Sequence, residues 1–432
     1  MSPDTTAQNS AVYCFLALCA RAECEAAHYR CLAQAAAKVT EWESVSAQAE
    51  AHGMAPLLYA HSRAAGMQLP PAVKRKLQGL YLRHQHANRV RADVLRDILS
   101  AYAAAGVPAL VLKGAALCHT VYPEPGLRPM SDLDILVREA DLRRAQSLLT
   151  DLGFDAPLPA GPALPHRHLA LATRRVEGLP VQVEIHHRLF SDYFDHAASF
   201  LHSLARPISA PIARANGLRT RVFPHESPSP EPAHDSAWAE LEGLTAPPHP
   251  FELGDLTAYT LGHEDTLGYL CRHLSSHVNV WDFGRLIWVA DIVSLAERFA
   301  AEIDWERVRR RRPAVLDMLS LLHFATPLSD ELLSRASIPA GRPPQGIGVE
   351  FQGWPQTRQA HGQTRGYRRV WRDTLFPSEW WLRLRYQVGS ARPLAWYRWV
   401  RHPLHILGQV VRAGLEWLGW PTALALAKGR RK

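Results

Sequence analysis

The chain has 432 residues, of which 47% are hydrophobic, so it can bury a large core and is predicted to fold into two or three globular domains. Its six cysteines and five methionines exclude a disulfide framework and a metal-storage protein. The formal net charge is +8 and is unevenly spread, because residues 354–432 hold fifteen Lys and Arg against three acidic residues.

The N-terminal stretch AVYCFLALCA is apolar, but it is shorter than the roughly 18 apolar residues that a membrane span needs. It follows Asp4 and no basic residue, whereas a signal peptide begins with positive charge. Four cysteines in this region lack the spacing of a zinc site, and we expect them to be free thiols. They are Cys14, Cys19, Cys24 and Cys31. We therefore expect a cytoplasmic protein.

Residues 1–105 are predicted to form an N-terminal helical region. Apolar residues recur at steps of three and four over residues 42–49, and again over residues 90–102. Gly106 follows the second segment and is well placed to end its helix.

Residues 106–223 have a different pattern, in which short strands alternate with helices. VPALVLKG, SDLDILV and LPVQVEIHHRL have the length and apolar content of strands. In the last of these, Val181, Val183 and Ile185 alternate with polar residues, which predicts one buried face. AALCHTVY and EADLRRAQSLLTDLGF have the composition of helices.

Three further segments are predicted after this core. Residues 224–250 are rich in Pro, Ser and Glu, which is typical of a linker or mobile insertion. Residues 251–340 are predicted to be helical, and residues 341–432 form a basic C-terminal region that holds most of the tryptophans. The whole pattern predicts an α+β fold, in which a small mixed β-sheet is flanked by helical domains.

Two carboxylates begin the second predicted strand. Asp132 and Asp134 are two residues apart, so in a strand they point the same way and lie about 6 to 7 Å apart. Mg²⁺ is usually held by one or two carboxylates together with substrate phosphates. A third acid on a neighbouring strand would complete a site that activates a hydroxyl and stabilises a leaving pyrophosphate. Glu184 is the candidate, because it is the only acid on the polar face of the third strand.

The turn after the first predicted strand has features of a phosphate-binding turn. Gly114 lets the backbone come close to a phosphate, and a helix that begins at Ala115 offers free N–H groups to it. Lys113 adds a point charge, and Arg128 adds a forked contact. Ser131, which precedes the acidic pair, completes the candidate set for nucleotide phosphates.

Each of these residues also has a structural interpretation. An Asp-x-Asp pair is common in solvated loops and helix caps. Lys113 could end an exposed strand, and Arg128 could pair with a surface acid. Glu184 alone would be a surface residue, and His186 and His187 are equally consistent with structural roles.

Three segments together resemble a known family. LKGAAL, YPEPGLRPMSDLDILV and VEIHHRL are similar to the uncharacterised bacterial nucleotidyltransferase family of the polymerase-beta-type superfamily. HGMAPLLY, RLIWVADIV, IDWERV and LFPSEWWLRLRYQ resemble its flanking segments, so the resemblance covers most of the chain. It implies a nucleotidyltransferase core with Mg²⁺ (or Mn²⁺), and it puts Asp132, Asp134 and Glu184 on the metal-binding positions. One departure is Gly114-Ala115, where well-studied members of the superfamily have Gly-Ser and a serine hydroxyl on the phosphate.

The resemblance implies Mg²⁺-dependent transfer of a nucleoside monophosphate from an NTP to a hydroxyl of an unidentified acceptor. One alternative is an inactive nucleotide-binding or scaffold protein, which the missing serine favours and the retention of three clustered acids opposes. Another is nucleic-acid binding through the basic C-terminal region, because Arg interleaved with Trp and Tyr suits phosphate contacts and base stacking. Packing of these residues along helix edges is the simpler interpretation.

Two helical patterns have both a binding and a packing interpretation. His273 and His277 are one helical turn apart, which suits a metal ion, but a core or pocket role is simpler. An apolar stripe predicts an amphipathic helix with basic residues beside it, and it consists of Leu404, Leu407, Val411, Leu415 and Leu418. Such a helix suits packing within the protein, which is the simpler interpretation, or peripheral contact with an anionic membrane.

Overall fold

The computed structural model of the chain divides into two compact units. The sheet unit contains Val90–Ala116 and Met130–Gly262, and the helical unit contains Met1–Arg89, Leu117–Pro129 and His263–Lys432. The described residues are 3–158, 168–189, 244–280, 285–349, 351, 353 and 367–417. Residues 224–243, which form most of the predicted linker, lie outside the described residues.

The described part of the sheet unit is built on six strands, β1 to β6. Their bounds are Ala109–Leu112, Asp132–Val137, Ala172–Val176, Leu179–His186, His249–Leu253 and Leu256–Thr260. They form one mixed sheet in the order β3-β4-β2-β1-β6-β5. The pairs β2–β4 and β1–β6 are parallel, and the other neighbours are antiparallel. The predicted α+β fold with a small mixed sheet is confirmed, and the three predicted strands are β1, β2 and β4.

The pairing of β2 with β4 separates an apolar face of the sheet from a polar one. Leu133 lies opposite Val183, and Ile135 lies opposite Ile185, with all four side chains buried. Because successive side chains point to opposite faces, Asp134 projects from the other side. The period-two alternation that predicts these strands therefore also decides which face carries the carboxylates.

The strands β5 and β6 form a hairpin in a segment that the sequence predicts to be the end of a linker and the start of a helical region. The two strands are joined by Gly254 and Asp255, and Gly254 has a φ of +69°, which glycine adopts without steric cost. Phe251, Leu253 and Ala258 are buried. The linker prediction is wrong for residues 249–250, and the helical prediction is wrong for residues 251–260. The reason is that period-two alternation on both sides of a two-residue turn favours strands.

Helices make up most of the remaining described chain. In chain order, α1 to α15 are Pro3–Leu18, Ala26–Ala36, Trp42–Ala51, Ala55–Ala64, Pro71–Ala104, Lys113–Thr120, Leu142–Asp151, His263–Val280, Leu286–Arg298, Trp305–Arg311, Pro313–Leu322, Asp330–Ala336, Tyr367–Leu375, Glu379–Tyr386 and His402–Trp417. Within the sheet unit, the buried Tyr102 of α5 donates its hydroxyl to the carbonyl of Ala145 on α7, at 3.1 Å. This bond joins the two helices beside the sheet.

The helical unit contains one continuous apolar core. The helix α9, with the sequence LIWVADIVSLAER, is buried over most of its surface, as its near-continuous apolar composition predicts. The six cysteines of the chain are free thiols, and they include the four N-terminal cysteines for which the sequence predicts this state. None of the described helices is both long enough and apolar enough to cross a membrane.

The C-terminal helices bury only part of their apolar surface. Trp381 on α14 is buried and donates its indole N–H to the carbonyl of Val278, which confirms the packing interpretation for this tryptophan. The same interpretation is wrong for Leu404, Leu407 and Val411 on α15, which are exposed. The reason is the orientation of α15, which packs through its opposite side. Leu418 and the side chain of Leu415 lie outside the described part of the chain.

His28 on α2 provides a pH-dependent contribution to stability. Its Nε2 lies 2.6 Å from the carbonyl oxygen of Leu18. Burial, and then the Arg21 guanidinium, lower the pKa of His28 from 6.5 to about 4. The unfolded chain therefore binds this proton at a higher pH than the folded chain, so the free energy of unfolding falls as the pH drops from 6.5 towards 4.

We expect His28→Gln to reduce that fall by on the order of 1 to 2 kcal/mol, with solvent screening allowed for. Urea unfolding at a series of pH values between about 7 and about 4.5 measures the fall in the free energy of unfolding. His86→Gln, on an exposed position of α5, is the matched control. If His28→Gln and the wild type lose stability equally over this range, His28 does not carry the effect.

Candidate metal centre

Asp134 and Glu184 lie directly opposite each other on the parallel strands β2 and β4. Both side chains therefore project from the same face of the sheet, from two strands that are neighbours in space. His186, two residues after Glu184, joins them. One ligand atom from each of the three side chains lies within 4.8 Å of the other two, and the described residues hold no other such group of three. The group is compact enough to hold a metal ion.

His186 is the most enclosed member of the group. Its side chain is fully buried, and its Nε2 lies 2.8 Å from Oδ1 of Asp134 and 3.5 Å from Oε2 of Glu184. A proton on Nε2 lets His186 donate to the Asp134 carboxylate. Its Nδ1 is also buried and has no hydrogen-bond partner in the described residues. The ring therefore either fixes the Asp134 carboxylate or offers Nε2 to a cation.

Lys113 supplies the positive charge nearest to Asp134. Its Nζ donates to Oδ1 of Asp134 at 2.7 Å, and most of its side chain is shielded from solvent. Lys113 follows β1 directly and has a φ of 49°, in the left-handed region that a lysine rarely adopts. Such backbone strain persists where the surrounding structure fixes it, and it is often found at functional sites.

Burial and the neighbouring charges set the protonation of the carboxylates. Burial would raise the pKa of Asp134, but Lys113 and His186 outweigh it and hold this pKa well below its usual range. The neighbouring His186 lowers the pKa of Glu184. Both opposed carboxylates are therefore ionised at neutral pH, which is the state that a divalent cation binds.

Asp132 occupies a different environment at the start of β2. Its carboxylate accepts a hydrogen bond from the Ser131 hydroxyl at 3.0 Å. Burial, followed by the Asp134 carboxylate, raises the pKa of Asp132. The described geometry groups Asp134 and Glu184 with His186, and Asp132 lies outside that group of three. Its assignment as a metal ligand stays a prediction.

Arg91 on α5 is a neighbour of Asp132 that the sequence does not single out. Burial lowers the pKa of the Arg91 guanidinium, and the Asp132 carboxylate acts in the opposite direction. The Nε of Arg91 is buried and has no hydrogen-bond partner in the described residues. No sequence signal could have identified it, because its helix lies far from the acidic strand in the chain.

Arg128 belongs to the helical unit and is held there by Asp291 of α9. Its Nε donates to Oδ1 of Asp291 at 3.0 Å and its Nη2 donates to Oδ2 at 2.5 Å. Its Nη1 donates to the carbonyl of Pro129. All three nitrogen atoms of the buried guanidinium thus donate to Asp291 or Pro129. The phosphate contact of Arg128 stays a prediction.

The predicted phosphate-binding turn is the junction of β1 and α6. The helix α6 begins at Lys113, two residues before the predicted start at Ala115, so Gly114 lies in its first turn. The missed member of the site is His186. A period-two reading of VEIHH places it beside Glu184, by the same reasoning that pairs Asp132 with Asp134.

The histidine pair that the sequence places one helical turn apart lies in the helical unit. The rings of His273 and His277 are 4.2 Å apart, and both contact the indole of Trp288 at 5.2 and 4.6 Å. The described residues provide no third ligand close enough to form a group with them. These aromatic contacts agree with the packing interpretation.

Comparison with known proteins identifies a family. A family model described as "Uncharacterised nucleotidyltransferase" matches residues 38–227 and 217–334, which together span more than half of the chain. The match includes β1 to β6 and ends at residue 334, so the resemblance predicted for Leu375–Gln387 lies outside it. No curated protein and no solved structure matches the chain.

Proposed function

Because the chain belongs to this family of uncharacterised nucleotidyltransferases, we propose that it transfers a nucleoside monophosphate from an NTP to a hydroxyl of an acceptor molecule. The observation that carries the proposal is the opposition of Asp134 and Glu184 on adjacent parallel strands. The family relationship supports nucleotidyl transfer in general, and this pair of carboxylates supports a metal-dependent form of it.

The side chains at this face fit a divalent cation such as Mg²⁺ or Mn²⁺. Asp134 and Glu184 would hold it with carboxylate oxygens, which suit both ions. Asp132 is the predicted third carboxylate. When bound, the cation would activate the acceptor hydroxyl and neutralise charge on the leaving pyrophosphate. His186 would position Asp134 or add a nitrogen ligand, and a nitrogen ligand favours Mn²⁺ over Mg²⁺.

Other residues would orient the nucleotide. The Lys113 ammonium lies within reach of the same face as the carboxylates, and it suits a phosphate oxygen. Gly114, Ser131 and Arg128 are the other predicted phosphate contacts. These assignments follow the sequence motif. The close pairing of Lys113 with Asp134 supports the assignment of Lys113.

Transfer of label from an NTP tests this function. The protein is incubated with each of the four NTPs labelled at the α-phosphate, Mg²⁺ or Mn²⁺, and size-fractionated cell extract as the source of acceptors. We expect a labelled product and free pyrophosphate with the wild type, and neither with Asp134→Asn. If no NTP binds in calorimetry with either metal, the proposed function is wrong.

A second candidate is a nucleotide-binding protein that does not transfer. Ala115 favours it, because the superfamily's serine hydroxyl on the phosphate is absent at this position. The two candidates share NTP binding and differ in turnover. NTP binding that depends on Asp134, without labelled product in any fraction, would favour this second candidate.

Loss of the Lys113 charge is expected to have opposite effects on metal binding and on nucleotide binding. In the protein without a cation, its ammonium neutralises part of the Asp134 charge, so it competes with a metal ion. We expect Lys113→Met to tighten binding of Mn²⁺ alone and to weaken binding of NTP, each by roughly tenfold. Electron paramagnetic resonance measures free Mn²⁺, and calorimetry measures NTP binding.

Lys76→Met, at an exposed position of α5, is the control for loss of a lysine charge. Unchanged affinity for both Mn²⁺ and NTP in Lys113→Met would show that this lysine has only a structural role.

A further inference from the structure

The last of the described helices expose a row of apolar side chains, which we name the C-terminal apolar face. It consists of Trp396, Trp399, Val400, Leu404, Leu407, Val410 and Val411. The exposed fraction reaches 63% for Trp399 and 58% for Leu407. The members recur at steps of three and four along the π-helical turn Tyr397–Arg401 and α15, so they form one stripe.

The orientation of α15 is fixed by contacts on its other side. The buried His402 bonds through Nε2 to the carbonyl of Thr374 at 2.7 Å, and its Nδ1 lies 3.0 Å from the Tyr386 hydroxyl. Ile406, one turn later, is buried as well. Because the docked side of the helix is already satisfied, rotation of α15 to bury the apolar stripe would break these contacts.

The apolar face extends onto the neighbouring helix α13. The rings of Phe376 and Trp399 are 6.4 Å apart in an edge-to-face arrangement, and Phe376 is itself exposed. Trp371 and Leu375 on α13 are exposed as well. A patch of this extent is uncommon on a protein surface that contacts only water, and it indicates an interaction site.

Several arginines lie on the same helices as this patch. Residues 367–417 contain nine arginines against three acidic residues. Arg368 and Arg372 are exposed on α13, and Arg398 is partly exposed beside Trp399. Arg401 lies over the rings of Tyr386 and Tyr397. A partner that offers both apolar groups and negative charge would therefore match these side chains.

We propose that the C-terminal apolar face docks on an anionic lipid surface. Leucine and valine side chains along the centre of the stripe suit acyl chains, whereas a nucleic acid would offer them only phosphates and bases. Tryptophans at the start of the stripe suit the interface between headgroups and hydrocarbon. A second copy of the chain would bring like charges together, so the charge opposes self-association through this face.

Vesicle flotation of the full chain at low salt tests the proposal. We compare vesicles of phosphatidylcholine with vesicles that also contain about one third phosphatidylglycerol. The test variant is Leu404→Gln with Leu407→Gln and Val411→Gln. The control variant is Leu82→Gln with Leu158→Gln and Val349→Gln, whose side chains have similar exposure elsewhere on the surface. All six positions are exposed, so neither variant should impair folding.

We expect the wild type and the control to float with anionic vesicles, and the test variant to bind at least about tenfold more weakly. Flotation should fall at high salt and should be absent with phosphatidylcholine alone. Failure of the wild type to float, or equal flotation of the two variants, would overturn the proposal. Light scattering that shows a dimer for the wild type and a monomer for the test variant, without flotation, would assign the face to a second copy.

Discussion

Replacing Asp134 with asparagine is expected to lower nucleotidyl transfer by roughly a thousandfold or more, the scale on which a preorganised electrostatic group contributes to catalysis. The change keeps the shape of the side chain and removes its charge. Glu184 would then face a neutral amide across the strands, and the Lys113 ammonium would lose its closest partner. Binding of Mn²⁺ should weaken along with the reaction, because one of the ligands becomes a poor donor.

The measurement is the rate of label transfer, together with a Mn²⁺ titration of the same sample. Asp151→Asn, at an exposed position on α7 of the sheet unit, is the matched control. Far-ultraviolet circular dichroism identifies a variant that has failed to fold. A folded Asp134→Asn variant with more than a tenth of wild-type activity would contradict the assignment of this carboxylate to the metal centre.

Replacing Asp291 with alanine is expected to lower the free energy of unfolding by about 3 to 5 kcal/mol, the usual cost of removing one partner from a buried ion pair. Asp291 is fully buried, accepts two hydrogen bonds from Arg128, and accepts a third from the Tyr122 hydroxyl at 2.8 Å. Without it, the buried guanidinium has no counter-charge. Urea or thermal unfolding measures the loss.

A combined variant separates structure from function at this pair. Arg128→Met, Asp291→Leu and Tyr122→Phe together replace the polar group with apolar side chains, and should restore most of the stability lost in Asp291→Ala. If Arg128 only supports the fold, this variant should bind NTP as the wild type does. If Arg128 contacts a phosphate, as its place in the motif predicts, NTP binding should weaken by tenfold or more, on the order of one charge-assisted hydrogen bond.

A similar loss of stability in the combined variant would mean that apolar packing cannot replace the pair. In that case NTP binding is measured with the charge-conserving Arg128→Lys variant, because lysine keeps a counter-charge for Asp291 and removes the forked geometry of the guanidinium.

The residues that could be predicted from the sequence are those that a local pattern fixes. The two-residue spacing of Asp132 and Asp134 sets their common face, and the alternation around Glu184 sets the face of β4. The same alternation also predicts the face on which His186 lies. The burial of His186 could not be predicted, because it depends on the strands and loops that cover the side chain.

The contacts that could not be predicted join segments far apart in the chain. Arg128 and Asp291 are 163 residues apart, and no local pattern connects them. The β5–β6 hairpin had a local signal in Gly254 and Asp255, but the helical composition of the residues that follow concealed it. Lys113 lies 21 residues from Asp134, and only the antiparallel pairing of β1 with β2 brings them together.

The parallel pairing of β2 with β4 has a practical consequence. It brings together Asp134 and His186, which are 52 residues apart, so the group of ligands exists only in the folded sheet. A cation or nucleotide that binds there binds the native state alone, and it must raise the midpoint of thermal denaturation in proportion to the logarithm of its concentration. Melting curves can therefore rank metals and nucleotides for this protein while its acceptor is still being sought.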